Sequence, residues 1–156
     1  MKKISVVVFA ILTLFIFTAC NKESKNIEGT LEEIMSKIYV DIPEDERPMM
    51  LTNIEVTEEN IEYYLGTSDI EYESALASES GVGSIAHSVV LVRVNKNTNI
   101  EETKTKIKEN INPRKWICVG VEDKDVVVEN KGDLIILMLI ENQQTREKII
   151  ESFNKL

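Results

Sequence analysis

Leu134-Ile135-Ile136-Leu137-Met138-Leu139-Ile140 is the longest unbroken apolar run downstream of residue 20. It is too short for a typical helix, it is bounded by the turn chemistry of Gly132-Asp133 and by polar Glu141-Asn142, and it has no polar face. A strand of this kind belongs in the middle of a sheet, covered by helices on at least one face. Beyond it, Asn142 to Leu156 has Ile149, Ile150 and Phe153 at helical spacing and predicts a closing helix. Before it, Asn130-Lys131-Gly132 predicts a turn and Val126 to Val128 a short strand, with an extra strand possible over Ile117 to Val121.

The same reading extends upstream. Asn99-Ile100-Glu101-Glu102 has the letters of a capping box and opens a helix with Ile100, Ile107 and Ile111 inward, closed by Pro113. Ile70 to Ser78 and Ser84 to Val94, separated by Ser80-Gly81-Val82-Gly83, predict a β-hairpin. A short helix from Thr57 shows Ile61, Tyr64 and Leu65 on one side and stops at Gly66. Thr30-Leu31-Glu32-Glu33 is a second capping box, and Leu31, Ile34, Met35 and Ile38 continue it as an amphipathic helix to about Tyr39. The expected fold is α+β: a two-layer sandwich with a mainly antiparallel sheet of four to five strands, helices packed on it, and the order ααββαββα. One domain, residues 30–156, accounts for it.

The first residues have a different character. Lys2 and Lys3 precede an apolar stretch from Ile4 to Phe17, which ends in Phe17-Thr18-Ala19-Cys20 and then polar Asn21 and Lys22. A basic start, an apolar core shorter than the roughly 18 to 20 residues of a span, and small residues at a cut site form an export signal. With cysteine directly after the small residues, the pattern resembles the lipobox of bacterial lipoproteins, although Phe17 stands where that family usually has leucine. The resemblance implies a signal peptide over residues 1–19, diacylglyceryl transfer to Cys20, and a protein tethered to the outer face of the cell membrane. Residues 20–29 then read as the lipidated cysteine and a flexible tether, reaching at most about 30 Å and averaging about 16 Å as a coil.

Charge sharpens that expectation. The chain has eighteen basic and twenty-seven acidic residues, and loss of the leader takes Lys2 and Lys3 with it, which brings the net charge from −9 to −11. Such a surface is repelled by anionic headgroups and by nucleic acid phosphates. The expected membrane partner is therefore reached through the lipid anchor alone, where two acyl chains hold at about 0.8 kcal/mol per buried methylene. Nucleic acid is not an expected partner.

Catalytic signatures are sparse. His87 is the sole histidine, placed mid-strand, and lacks the second histidine of a zinc-protease motif. Cys118 is the sole thiol besides Cys20; between Ile117 and Val119 it reads as a small buried hydrophobe. Gly81-Val82-Gly83-Ser84-Ile85-Ala86 has the letters of a dinucleotide fingerprint, but a strand follows where that motif needs a helix. The acidic clusters Asp41, Glu44, Asp45, Glu46 and Glu122, Asp123, Asp125 lack the glycine-turned loop of a calcium site and read as solvated loops. No catalytic residue, metal ligand or cofactor is expected.

Arg114-Lys115-Trp116 is the one basic and aromatic cluster, and such residues dominate binding energy at interfaces. It is the first candidate contact, against the alternative that Trp116 fills the core. Met49-Met50-Leu51 is a second, as an adaptable apolar patch.

Tyr63-Tyr64-Leu65-Gly66, Ser88 to Val94, Asn112-Pro113-Arg114-Lys115-Trp116-Ile117-Cys118 and Gly132 to Leu137 together resemble an uncharacterised lipoprotein family of Gram-positive bacteria, a domain of unknown function. That resemblance implies fold and location, and assigns no catalytic residues. The expected function is a non-enzymatic, membrane-anchored module that binds an envelope protein or polymer. The alternatives are a small-solute or metal-binding lipoprotein and, further off, an enzyme.

Overall fold

The computed structural model describes residues 26–156; the leader over residues 1–19, Cys20 and residues 21–25 lie outside the described residues. Five strands form one antiparallel sheet: β1 Leu51–Glu55, β2 Ser74–Ser80, β3 His87–Arg93, β4 Val127–Lys131 and β5 Leu134–Ile140, in the spatial order β1-β2-β3-β5-β4. Four helices accompany them: α1 Leu31–Ile38, α2 Ile61–Leu65, α3 Ile100–Asn110 and α4 Gln143–Lys155. Among the described residues no helix is long and apolar enough to cross a membrane.

The seven-residue apolar run is the strand beside which the rest assembles. Every residue of β5 is buried, between β3 on one side and β4 on the other. Ile135, Leu137 and Leu139 pack into one core with Ile61, Tyr64 and Leu65 of α2 and Ile107 of α3. Ile136, Met138 and Ile140 pack into a second with Leu31, Ile34 and Ile38 of α1 and Ile149 and Phe153 of α4. The α+β class and the five-stranded antiparallel sheet stand as expected. The helices, however, cover both faces, so two expected layers become three. A strand apolar on both sides requires this, because an uncovered face would leave alternate isoleucines and leucines in water.

Local signals explain most boundaries. Thr30 Oγ1 accepts from Glu33 N at 3.2 Å and Glu33 Oε2 accepts from Thr30 N at 3.0 Å, a complete capping box. Asn99 and Asn142 cap α3 and α4 by accepting from Glu102 N and Thr145 N. Gly66 ends α2 at φ 77°, where an added Cβ would stand 2.3 Å from the Asn110 carbonyl carbon, so only glycine lets α2 and the end of α3 meet.

Three elements differ from expectation. β1 was not expected; Leu51-Thr52-Asn53-Ile54-Glu55 is a mostly polar edge strand, held in register by pairing with β2 from Leu51↔Ser80 to Glu55↔Leu76. The extra strand over Ile117 to Val121 does not form: Cys118 takes φ 68° and the segment is the tip of a loop, closed at its neck by Val121 N donating to Pro113 O at 2.8 Å. The tether is shorter than the sequence implied. Ile27 N donates to Asp133 Oδ1 at 3.1 Å, while Arg93 donates to Ile27 O and Gly29 O, both at 3.0 Å, so the chain is docked on the sheet from Ile27 onward.

Candidate interaction surface

The end of the sheet where β2 stops and β3 begins is built from buried polar residues: Ser78, Glu79, Ser80, His87 and Ser88. Alternation along the strands sends them to opposite faces. Glu79 and Ser88 are cross-strand partners and face the α2 and α3 side, whereas His87 faces α1.

Glu79 is the hub of the first group. Its Oε2 accepts from Lys115 Nζ at 2.6 Å, and its Oε1 accepts from Trp116 Nε1 at 3.0 Å and from Tyr63 OH at 2.8 Å. The Lys115 and Glu79 side chains are only 3% and 8% exposed. Lys115 also reaches Ser88 Oγ at 3.2 Å, and its ammonium lies over the rings of Tyr63 at 4.2 Å, Tyr64 at 4.7 Å and Trp116 at 5.2 Å. The cation is thus held in an aromatic cage closed by one carboxylate. Burial pulls the Lys115 ammonium down from the ordinary lysine range, and the Glu79 carboxylate opposes it. Burial and the neighbouring Glu79 push Tyr63 up, so its phenol stays a donor. Both carboxylate oxygens are engaged, which makes the knot a strut for the 113–121 loop.

On the other face, Tyr39 OH and His87 Nε2 lie 2.6 Å apart. Burial lowers His87 to about 4 against a smaller opposing pull from Glu79, and burial raises Tyr39. The ring is therefore neutral at pH 7. His87, expected mid-strand, is the first residue of β3; it is hydrogen-bonded to Tyr39 and borders a small cavity of about 260 Å³ also lined by Glu46, Ser84 and Asn142.

The buried knot determines what is left outside. Arg114 is exposed, but Lys115 and Trp116 point inward, so two of the three residues expected to form a contact serve as its foundation instead. Trp116 was drawn in by a carboxylate 37 positions away, a pairing that no local pattern encodes. Cys118 is exposed where a buried position was expected, because the left-handed turn at that residue carries it to the loop tip.

Large exposed apolar side chains among the described residues are Val40, Met49, Met50, Tyr63 and Ile117. Four of these five hang from the same three residues of β2 and its exit. Tyr63 bonds Glu79, Ile117 follows the Trp116 that bonds Glu79, Met49 O accepts from Ser80 Oγ at 2.8 Å, and Met50 O accepts from Gly81 N at 3.0 Å. Exposures of 70% for Met49, 68% for Met50 and 78% for Ile117 leave these side chains free to be covered. The methionine pair was legible as a candidate; Tyr63 and Ile117 were not. The available signal was Glu79 itself, a lone carboxylate in the small-residue strand Ser74-Ala75-Leu76-Ala77-Ser78-Glu79-Ser80, since such a group needs a partner when buried.

The acidic loops are occupied by cations of the chain. Asp125 pairs with Arg146 at 2.8 Å, Glu122 with Lys124 at 2.8 Å and Glu46 with Lys148 at 2.8 Å. Among the described residues no group of three or more metal-ligating side chains converges.

Comparison with known proteins returns no match: no protein-family model fits the chain, and no curated protein or solved structure resembles it at a significant level.

Proposed function

We propose that this chain is a lipid-anchored extracytoplasmic module that binds a protein partner through the end of its sheet, without catalysing a reaction. The observation that carries the contact is the gathering of Met49, Met50, Tyr63 and Ile117 around Glu79–Gly81, with exposed Arg114 on the same loop as Ile117. Tyrosine and arginine are the side chains that most often dominate binding, and methionine adapts to the shape of a partner. The buried Glu79–Lys115–Trp116 knot supports the reading by fixing the loop before a partner arrives, which reduces the ordering cost of binding.

The anchor reading rests on Lys2, Lys3, the apolar stretch and Phe17-Thr18-Ala19-Cys20. The Gram-positive lipoprotein family suggested by the quoted motifs stays part of the proposal, and so does the envelope location. Docking of Ile27 on the sheet supports a short leash: six residues separate Cys20 from Ile27, a span of at most about 25 Å. A partner would then lie close to the membrane face.

Photocross-linking on intact cells tests the contact, with a photoreactive residue at Arg114. A single discrete adduct is expected, lost in Ile117→Asp and in Met50→Asp and retained in Val40→Asp, whose side chain is equally exposed but follows the end of α1. An adduct indifferent to Ile117→Asp and Met50→Asp refutes the surface. Cys20→Ser tests the anchor separately, by release of the protein from the membrane fraction and loss of the acyl mass.

A further inference from the structure

The sheet has two edges, and they are finished differently. β4 ends in Lys131, and Lys104 of α3 reaches across to Asn130 Oδ1 at 2.9 Å. Lysines of this kind close an edge to further pairing. β1 has no such device: Leu51-Thr52-Asn53-Ile54-Glu55 contains neither lysine nor proline, pairs with β2 without a bulge, and leaves Thr52, Asn53 and Glu55 exposed.

Two hydrogen bonds fix the direction of its backbone groups. Met50 O accepts from Gly81 N at 3.0 Å and Val56 N donates to Ala75 O at 2.9 Å, so the even-numbered residues between them turn their amides and carbonyls toward β2. Leu51, Asn53 and Glu55 therefore turn theirs outward. Among the described residues only Glu55 O finds a partner there, the side chain of Asn60 at 3.0 Å, and a carbonyl keeps a second lone pair. The open edge also has definite ends. Met50 leaves the extended region at φ 53°, and past Val56 the chain turns through Thr57 and Asn60. Asn53 is the midpoint of what remains.

We propose that β1 pairs antiparallel with β1 of a second copy of this chain, about a two-fold axis at Asn53. Leu51 then lies opposite Glu55 of the other copy and Asn53 opposite its own counterpart, so each outward amide meets an outward carbonyl. The side chains select this register. An axis at Glu55 would oppose two glutamates directly, and one at Leu51 would run the pairing into the left-handed turn at Met50. With the axis at Asn53 the glutamates stand about 14 Å apart, beyond a Debye length of about 8 Å at physiological ionic strength. The two Asn53 amides, each donor and acceptor, meet across the axis, and Ile54 faces Thr52 of the second copy.

Such an axis is normal to the sheet, so α1 and α4 of both copies lie on one side of it. Asn26 and Ile27 line the groove between the ends of α1 and α4, so both chains enter from that side, as two lipids in one leaflet require. That last agreement rests on the anchor reading; the strand pairing does not. A single strand edge falls below the roughly 1,000 Å² of a stable interface, and a net charge of −9 on each copy opposes approach, so the pairing is weak and strengthens with salt.

Cysteine cross-linking on intact cells tests the register, in a Cys118→Ser chain so that the exposed thiol does not intervene. Asn53→Cys should give a disulfide-linked homodimer on mild oxidation, because Cα atoms across the axis stand about 5.5 Å apart. Thr52→Cys and Ile54→Cys, each about 8 Å from its own counterpart, should cross-link at least about tenfold more slowly. Asn53→Pro removes only an outward amide and suits an edge strand. It should leave thermal unfolding unchanged and reduce co-capture of two differently tagged copies at least about tenfold. No disulfide from Asn53→Cys, equal rates at the three positions, a disulfide to a different protein, or co-capture that is indifferent to Asn53→Pro or weakened by salt would each overturn the proposal.

Discussion

Two faces of one sheet end solve the burial of polar groups in different ways. On the α2 and α3 side, Glu79 and Lys115 are buried as ions, joined at 2.6 Å and walled by Tyr63, Tyr64 and Trp116. On the α1 side, Tyr39 and His87 are buried as neutral partners, also 2.6 Å apart. The charged face costs more to assemble, because both ions lose their water. In return it is specific: only one placement of the 113–121 loop satisfies the carboxylate. The neutral pair costs less and fixes less. The exposed apolar side chains of the proposed contact cluster around the charged solution, where precision of a loop matters.

Breaking the charged face should have the largest effect. Glu79→Ala strands a buried ammonium and is expected to cost about 4 kcal/mol in denaturant unfolding, whereas Glu79→Leu combined with Lys115→Met is expected to cost less than either single change. A double variant as unstable as the sum of the two would show that the knot is not a coupled unit.

Acid should distinguish the faces next. Burial holds His87 near 4 against an ordinary value of 6.5, so the unfolded chain takes up this proton first as pH falls. Stability from the neutral ring is therefore complete above pH 6.5, declines between 6.5 and about 4, and is fully lost below that, a total of about 3 kcal/mol. Unfolding free energies across this window should slope in the native chain and flatten in His87→Gln.

Tyr39→Phe sharpens the contrast at smaller scale. It removes one hydrogen bond from a neutral pair, and a cost of about 2 kcal/mol is expected in the same unfolding assay. A cost equal to that of Glu79→Ala would erase the distinction between ionic and neutral burial.

The smallest effect on stability should come from the surface that the knot supports. Ile117→Asp is expected to stay within about 0.5 kcal/mol of the native chain, because Ile117 is exposed. Its consequence should appear in partner capture instead.

What could be read from the sequence followed the range of the interaction. The Thr30 capping box and the buried run of β5 are local patterns, and both appear where they were expected. β1 escaped notice because Thr52, Asn53 and Glu55 leave it no apolar alternation, and only its neighbour β2 makes it a strand. The segment after Trp116 has strand composition but is bent by the positive φ of Cys118. The inward turn of Lys115 and Trp116 depends on Glu79, 36 and 37 residues distant. Reading those two as an exposed contact followed from residue type, and position overruled it.

The sheet order carries a consequence for how the molecule comes into being. β3 and β4 run parallel with β5 inserted between them, so the strand that joins β4 to the rest of the sheet is the last one made. Until residues 134–140 leave the ribosome, β1 to β3 and β4 have no common neighbour and neither core can close. Closure then waits on contacts spanning much of the sequence, which form slowly. A nascent chain arrested before Leu134 should remain protease-sensitive throughout, and one extended through β5 and α4 should become resistant in a single step.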